Sequence, residues 1–184
     1  MRHAVGLLRK RSSDKTELAH ARMLANFRTP SLRQLWSKEY FRMKLFGSCH
    51  CGALCNELVL PRAPEELNIR ACTCSFCRAH GARTVSDPEG RAIIRVQNAS
   101  NLQRYRFALN TADFFICANC GVYIGAVAYD GDIAFSTTNV NVLQAHAEFS
   151  EHAEPVCYDG ETSSERLARR RRQWTPTTID SHKG

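Results

Sequence analysis

The sequence predicts a mainly β, antiparallel domain stapled by metal, and three observations lead there. From Phe46 onward, short strand-like runs alternate with turn residues. Cysteines gather at C-x-C and C-x-x-C spacings where those runs end. Past residue 42, helical patterning is confined to one stretch from about Ser163 to Arg172.

The runs are Leu54–Leu60 (LCNELVL), Ala92–Val96, Leu102–Phe107, Phe114–Cys117, Val122–Tyr129 and Ile133–Thr138, each rich in β-branched or aromatic residues. Gly52, Pro61, Pro64, Pro88-Glu89-Gly90, Asn110, Gly121 and Asp130-Gly131-Asp132 punctuate them. Asp130-Gly131 between two apolar runs is a hairpin signal. The helical stretch takes Ser163 or Ser164 as its expected N-cap. No repeat of solenoid length is present.

Length and charge set the organisation. With 184 residues there is room for one ordinary domain plus appendages, and 43% hydrophobic content is enough for a core. Residues 1–46 carry eleven Lys/Arg against three Asp/Glu, whereas residues 47–184 carry fourteen against fifteen. The net charge of +7 therefore belongs to the ends, and five of those fourteen cations sit between Arg166 and Arg172. The expected division is a basic extension over 1–42, a zinc-binding domain over 43–160, and a basic C-terminal helix and tail over 161–184. The extension has short helical-looking pieces around Glu17–Phe27 and Ser31–Phe41. It reads as an Arg-rich organelle presequence, a solvated or regulatory extension, or a consequence of start-site assignment. No stretch approaches the roughly 20 apolar residues of a membrane span, and no apolar block with a cleavage site follows the basic N-terminus. A soluble, cytoplasmic protein is expected.

Nine cysteines in this length pose a choice between a disulfide framework and metal ligands. The odd number and the tight spacings favour metal, because neighbours so close rarely reach disulfide geometry yet chelate a tetrahedral ion readily. Cys49-His50-Cys51-Gly52 opens the domain, Cys72-Thr73-Cys74-Ser75-Phe76-Cys77 follows, and Cys117-Ala118-Asn119-Cys120-Gly121 comes last. Joining Cys49 and Cys51 to Cys117 and Cys120 supplies a closed structural set. Cys72, Cys74 and Cys77 then remain as three ligands with an open fourth position, the arrangement of a catalytic zinc. Two other divisions stay open at this point. The triplet could recruit His50, His80 or Cys55 and close, or Cys49 and Cys51 could pair with Cys72 and Cys74. Cys55 and Cys157 read as small packed residues, and His146 and His152 as solvated ones.

These blocks resemble the glutathione-dependent formaldehyde-activating enzymes and the related centromere protein V. The resemblance rests on Gly47-Ser48-Cys49-His50-Cys51-Gly52, on Cys72-Thr73-Cys74-Ser75-Phe76-Cys77-Arg78 with Gly81 after it, and on Phe115-Ile116-Cys117-Ala118-Asn119-Cys120-Gly121. With flanking strands it covers roughly 43–160, and residues 1–42 have no counterpart in it. It implies a β-tent of antiparallel sheets with two zinc ions. Cys49, Cys51, Cys117 and Cys120 would be structural, and Cys72, Cys74 and Cys77 catalytic. It also implies a carbon–sulfur lyase-type reaction, the condensation of formaldehyde with glutathione to S-(hydroxymethyl)glutathione.

The expected partners are thus a glutathione-like thiol and a formaldehyde-like aldehyde. A peptide thiol carries carboxylates and needs cations nearby. Arg78 and His80, just after the triplet, are the expected substrate neighbours, with Arg70 and Arg83 close in sequence. Tyr105, Tyr123 and Tyr129 could offer a hydroxyl acid. The competing readings are a non-catalytic zinc module with two closed sites, and a chromatin or nucleic-acid binder using Arg166, Arg169–Arg172 and Trp174. Nucleic acid is the less expected partner, since such a run is more often a helix face or a solvated tail.

Overall fold

The computed structural model describes residues 42–181. The helical pieces expected around Glu17–Phe27 and Ser31–Phe41, and nearly all of the extension at 1–42, lie outside the described residues. What is described is mainly β, as expected. Strands β1 (Met43–Ser48) and β2 (Leu54–Leu60) form an antiparallel hairpin running from Met43 opposite Leu60 to Ser48 opposite Cys55. Alternation in β2 buries Leu54, Asn56, Leu58 and Leu60. Its three leucines are at most 1% exposed, and each contributes about 1.5–3 kcal/mol of apolar burial. Gly47 lets β1 approach a later loop closely: a Cβ there would sit 2.6 Å from the Val142 carbonyl oxygen.

The remaining strands are β3 (Arg70–Cys72), β4 (Thr84–Val85), β5 (Arg91–Val96), β6 (Leu102–Tyr105), β7 (Asp113–Cys117), β8 (Tyr123–Asp130), β9 (Ile133–Asn139), β10 (Glu154–Val156) and β11 (Thr175–Ser181). Helix α1 spans Ser75–Ala79 and α2 spans Ser163–Gln173. The sheet divides at β9. One edge of that strand pairs β8, which continues to β7 and β6. The other edge pairs β11 along its first half and β4 along its second, starting two wings, β11-β5-β2-β1 and β4-β3-β10. The β8–β9 hairpin turns through Gly131-Asp132, with Asp130 opposite Ile133. Gly131 has φ of 57°, the handedness that a two-residue loop with glycine first requires.

The first wing folds over the β7–β8 pair. Cys49, Leu54, Ile94 and Val96 share a core with Phe115, Cys117, Ile124 and Val127, and the Asn56 amide donates to the Ile124 carbonyl at 3.4 Å. That closure brings the β1–β2 turn to the β7–β8 turn. A second core, around Leu45, Leu58, Leu60, Ile69, Val85 and Leu143, fills the space between the two wings.

Three features depart from the expectation. The pairing is not wholly antiparallel: β10 runs parallel to β3, and β11 parallel to β5. Residues 175–181, expected as a tail, form β11, which sits between β5 and β9 in the same sheet. The cap of helix α2 lies one residue before the first of the two expected positions. Thr162 is the N-cap, its hydroxyl accepting from the Glu165 backbone N–H at 3.3 Å while Glu165 accepts from the Thr162 N–H at 2.8 Å. Among the described residues, no helix is long and apolar enough to cross a membrane.

Candidate metal centre and its cavity

The two hairpin turns present the first cysteine group. Each has the same backbone frame: Cys49 N–H donates to the Leu54 carbonyl and Cys117 N–H to the Val122 carbonyl, while the following glycines close back onto Cys49 and Cys117. Gly52 and Gly121 have φ of 80° and 73° with open space around them, so backbone handedness, not crowding, calls for glycine. The sulfurs of Cys49, Cys51, Cys117 and Cys120 lie within 4.8 Å of one another. Cys51 Sγ is 3.6 Å from Cys49 Sγ and 3.5 Å from Cys117 Sγ. A tetrahedral ion with metal–sulfur bonds of about 2.3 Å separates its ligands by about 3.8 Å, so these four residues fit one.

Backbone N–H groups already serve these sulfurs. Leu54 N–H donates to Cys49 Sγ at 3.3 Å. The Ala53 N–H, then the Asn119 side chain, push the Cys51 thiol down to about 6, whereas burial pushes Cys49 up to about 12. One sulfur is thus ready to ionise while its neighbour holds a proton, the state expected of clustered thiols that a cation would fully deprotonate.

The second group forms where β3 meets α1. Cys72 ends the strand, Cys74 is the N-cap of the helix and accepts from Cys77 N–H at 3.4 Å, and Cys77 lies buried in the first turn. The three sulfurs are within 4.8 Å of one another. A hydrogen bond from Cys77 pushes the Cys72 thiol down to about 6, against its burial, and the same bond raises Cys77. Among the described residues, no further His, Cys, Asp or Glu joins this triplet. The candidate fourth ligands are engaged or turned away: Cys55 donates to the Gly52 carbonyl at 3.2 Å, His50 is exposed, and His80 Nδ1 lies 2.9 Å from the Phe76 carbonyl oxygen. The division pairing Cys49 and Cys51 with Cys72 and Cys74 is not the one the fold makes.

The triplet opens on a cavity of about 90 Å³, well beyond what one water needs. Phe107, Phe114, Tyr123 and Trp174 give it an aromatic wall. Its polar lining comes chiefly from four arginines, Arg70 of β3 and Arg166, Arg169 and Arg170 of α2, with Asp159 beside them. Spaced at i, i+3 and i+4, the α2 arginines share one helix face. Arg169 pairs with Glu161 at 2.7 and 2.8 Å and lies over the Tyr158 ring at 3.5 Å. Arg170 is 5% exposed, donates to the Thr111 carbonyl and hydroxyl at 2.6 and 2.8 Å, and lies over Trp174. Burial, then Arg169 and Arg166, push Arg170 down to about 10. Phe107 and Ala108 reach the cavity from the β6–β7 loop, where Ala108 has φ of 53°. That left-handed conformation costs a non-glycine residue about 1 kcal/mol.

Arg78 and His80, expected beside the substrate, are exposed and do not line the cavity. The cationic groups facing the triplet come instead from β3 and from a helix about ninety residues later. Their signal was the i, i+3, i+4 spacing of Arg166, Arg169 and Arg170, which separates them from Arg171, paired with Asp130, and from exposed Arg172. Trp174 is buried against Ala112, Ala126 and Ala128, not offered for stacking. Of the three tyrosines considered, Tyr123 lines the cavity, whereas Tyr105 and Tyr129 are exposed.

Fold and site together define a mainly β protein with two cysteine groups, of four and of three, that could each hold a metal ion. No family model and no curated protein matches the chain. The solved structure of a Rhodobacter sphaeroides protein from a structural-genomics effort is similar, at 29% identity and a TM-score of 0.45, the match covering 60% of this chain and 99% of that one.

Proposed function

We propose that the chain is a zinc-dependent carbon–sulfur lyase-type enzyme of the formaldehyde-activating kind, adding a glutathione-like thiol to a formaldehyde-like aldehyde. The observation that carries this reading is the pairing of a three-cysteine group, without a fourth side-chain ligand among the described residues, with a cavity lined by arginines. Cys49, Cys51, Cys117 and Cys120 would hold a structural zinc, and Cys72, Cys74 and Cys77 a second. A zinc ion held by Cys72, Cys74 and Cys77 would lower the pKa of a thiol bound beside them.

The chain's own residues supply the rest. Arg70, Arg166, Arg169 and Arg170 bias the cavity toward anions, which favours a thiolate over a thiol there. The aromatic wall offers an apolar face against which a small aldehyde can rest beside the thiolate. The thiolate sulfur forms a bond to the aldehyde carbon, the C=O π pair moves to oxygen, and the oxygen takes from solvent a proton equivalent to the one the thiol released, completing the hemithioacetal with no net proton change. Tyr123 lines the cavity, and burial holds its phenol well above the usual range. Its hydroxyl therefore keeps its proton and can donate a hydrogen bond to that oxygen.

Two features that suggested a nucleic-acid binder are used inside the fold, since Arg169 and Arg170 are buried and Trp174 packs in a core. The test is exchange spectroscopy by NMR on glutathione and formaldehyde with zinc-loaded protein. Interconversion of free and adducted thiol should accelerate with wild type and not with Cys74→Ser. An exchange rate equal to the spontaneous one with both proteins would remove the reading.

A further inference from the structure

We infer that the α2 face formed by Arg166 and Arg170, joined by Arg70 from β3, is an anion subsite that selects thiols carrying carboxylate groups. This deepens the proposed chemistry and rests on it for the thiol.

Charge balance is the first argument. Four guanidinium groups line one small cavity, and the carboxylates beside them are Asp159 in the lining and Glu161 against Arg169. Among the described residues, these two carboxylates and the three cysteines of the same lining, a set of net charge −1 with zinc bound, leave one positive charge unmatched in a space with an aromatic wall, where a charge is costly without a partner. A bound anion offsets that cost, and Arg is the side chain whose planar fork matches a carboxylate.

Hydrogen bonding is the second. Among the described residues, Arg166 Nε and Arg170 Nε are buried without a hydrogen-bond partner. Arg166 spends one terminal nitrogen on the Tyr158 carbonyl at 2.6 Å, and its nearest carboxylate oxygen, on Glu161, is 4.0 Å from Nε. Arg170 spends a terminal nitrogen on Thr111. Each side chain is thus fixed by one end and retains unspent donors. Native structures leave few buried donors unmet, so each such group calls for an ordered water or a bound group. Third, Arg70 is held by the Ser86 and Thr137 hydroxyls and, among the described residues, by no carboxylate.

Two probes separate this subsite from the thiol chemistry. S-methylglutathione keeps the carboxylates of a peptide thiol but has no free thiol, and 2-mercaptoethanol keeps the thiol but has no charge. Calorimetry on the zinc-loaded full chain should show S-methylglutathione binding that weakens with added salt. Arg166→Gln should weaken it about tenfold or more, since hydrogen bonds to charged groups are worth about 1.5–3 kcal/mol. Arg166→Lys should recover part of the loss, and Arg172→Gln, which removes the same charge from an exposed position, should stay within about twofold. Binding of 2-mercaptoethanol, read by the thiolate absorption of cobalt-substituted protein, should not change in any of them. The inference is overturned if S-methylglutathione fails to bind wild type, if Arg166→Gln binds it as well as wild type, or if Arg166→Gln weakens both probes by one factor. A well-formed subsite in a protein that does not accelerate the thiol–aldehyde exchange would sink the proposed reaction and leave this inference standing.

Discussion

Cys120→Ser and Cys74→Ser form a matched pair, since both residues are half-buried and each belongs to one cysteine group. They should nonetheless differ in what they cost. The four-cysteine group ties together turns 66 residues apart, measured from Cys51 to Cys117. Treating a thiolate–metal link as a cross-link, closing a loop of that length removes about 4 kcal/mol of chain entropy from the unfolded state. The triplet spans only Cys72 to Cys77, for which the same relation gives about 2 kcal/mol. At roughly 3–4 °C per kcal/mol for a domain of this size, Cys120→Ser should lower the melting temperature by about 15 °C and Cys74→Ser by about half as much. Calorimetric melting of metal-loaded protein measures both, and chelator should reduce the wild type to the level of Cys120→Ser or below. Equal losses, or a larger loss for Cys74→Ser, would refute the division of the two groups into a long-range staple and a local site.

Other consequences follow from single contacts. Leu54→Ala, at a position 0% exposed between β2 and the β7–β8 pair, should cost about 3–4 kcal/mol in urea denaturation, chiefly as a cavity. Thr162→Ala removes the capping box of α2 and should cost about 1 kcal/mol, with a matching loss of S-methylglutathione affinity if α2 frays. The hydrogen bonds from Arg169 hold the Glu161 carboxyl below its usual value of 4.5. Because that folded-state pKa is depressed, its contribution is fully present above about pH 4.5 and fades as pH falls through the folded value. The urea midpoint should therefore decline between about pH 5 and pH 3, and more shallowly in Glu161→Gln.

Sequence patterning revealed the long, half-buried strands because alternation there is driven by burial: Leu54–Leu60 matches β2 residue for residue. It did not reveal β1, nor β3, β4 and β10, the last three being two or three residues long and owing their existence to neighbours, not to local preference. Strand β11 was hidden by Pro176 and by its threonines, which read as a polar tail. Within the sheet, Pro176 sits near the start of the strand, Thr175 is buried, and Thr177 donates to the Ser136 hydroxyl at 2.7 Å. The cysteine groups were legible because metal-ligand spacing is local in each block. Proximity in sequence to Cys77 pointed to Arg78 and His80, which are exposed and do not line the cavity. The arginines that do line it lie on β3 itself and on α2, the helix that follows β10, the strand paired in parallel with β3. Topology, not spacing, decides which cations face the triplet.

Zinc-edge X-ray absorption with parallel metal analysis tests the central claim most directly. Seven cysteines shared four and three between two ions give about 3.5 sulfur neighbours per zinc at about 2.3 Å, and about half a lighter oxygen or nitrogen neighbour. Two zinc ions per chain with that average, rising to about 4 sulfurs on addition of glutathione, is the result expected. One zinc per chain, or four sulfur neighbours per zinc before any thiol is added, would contradict it.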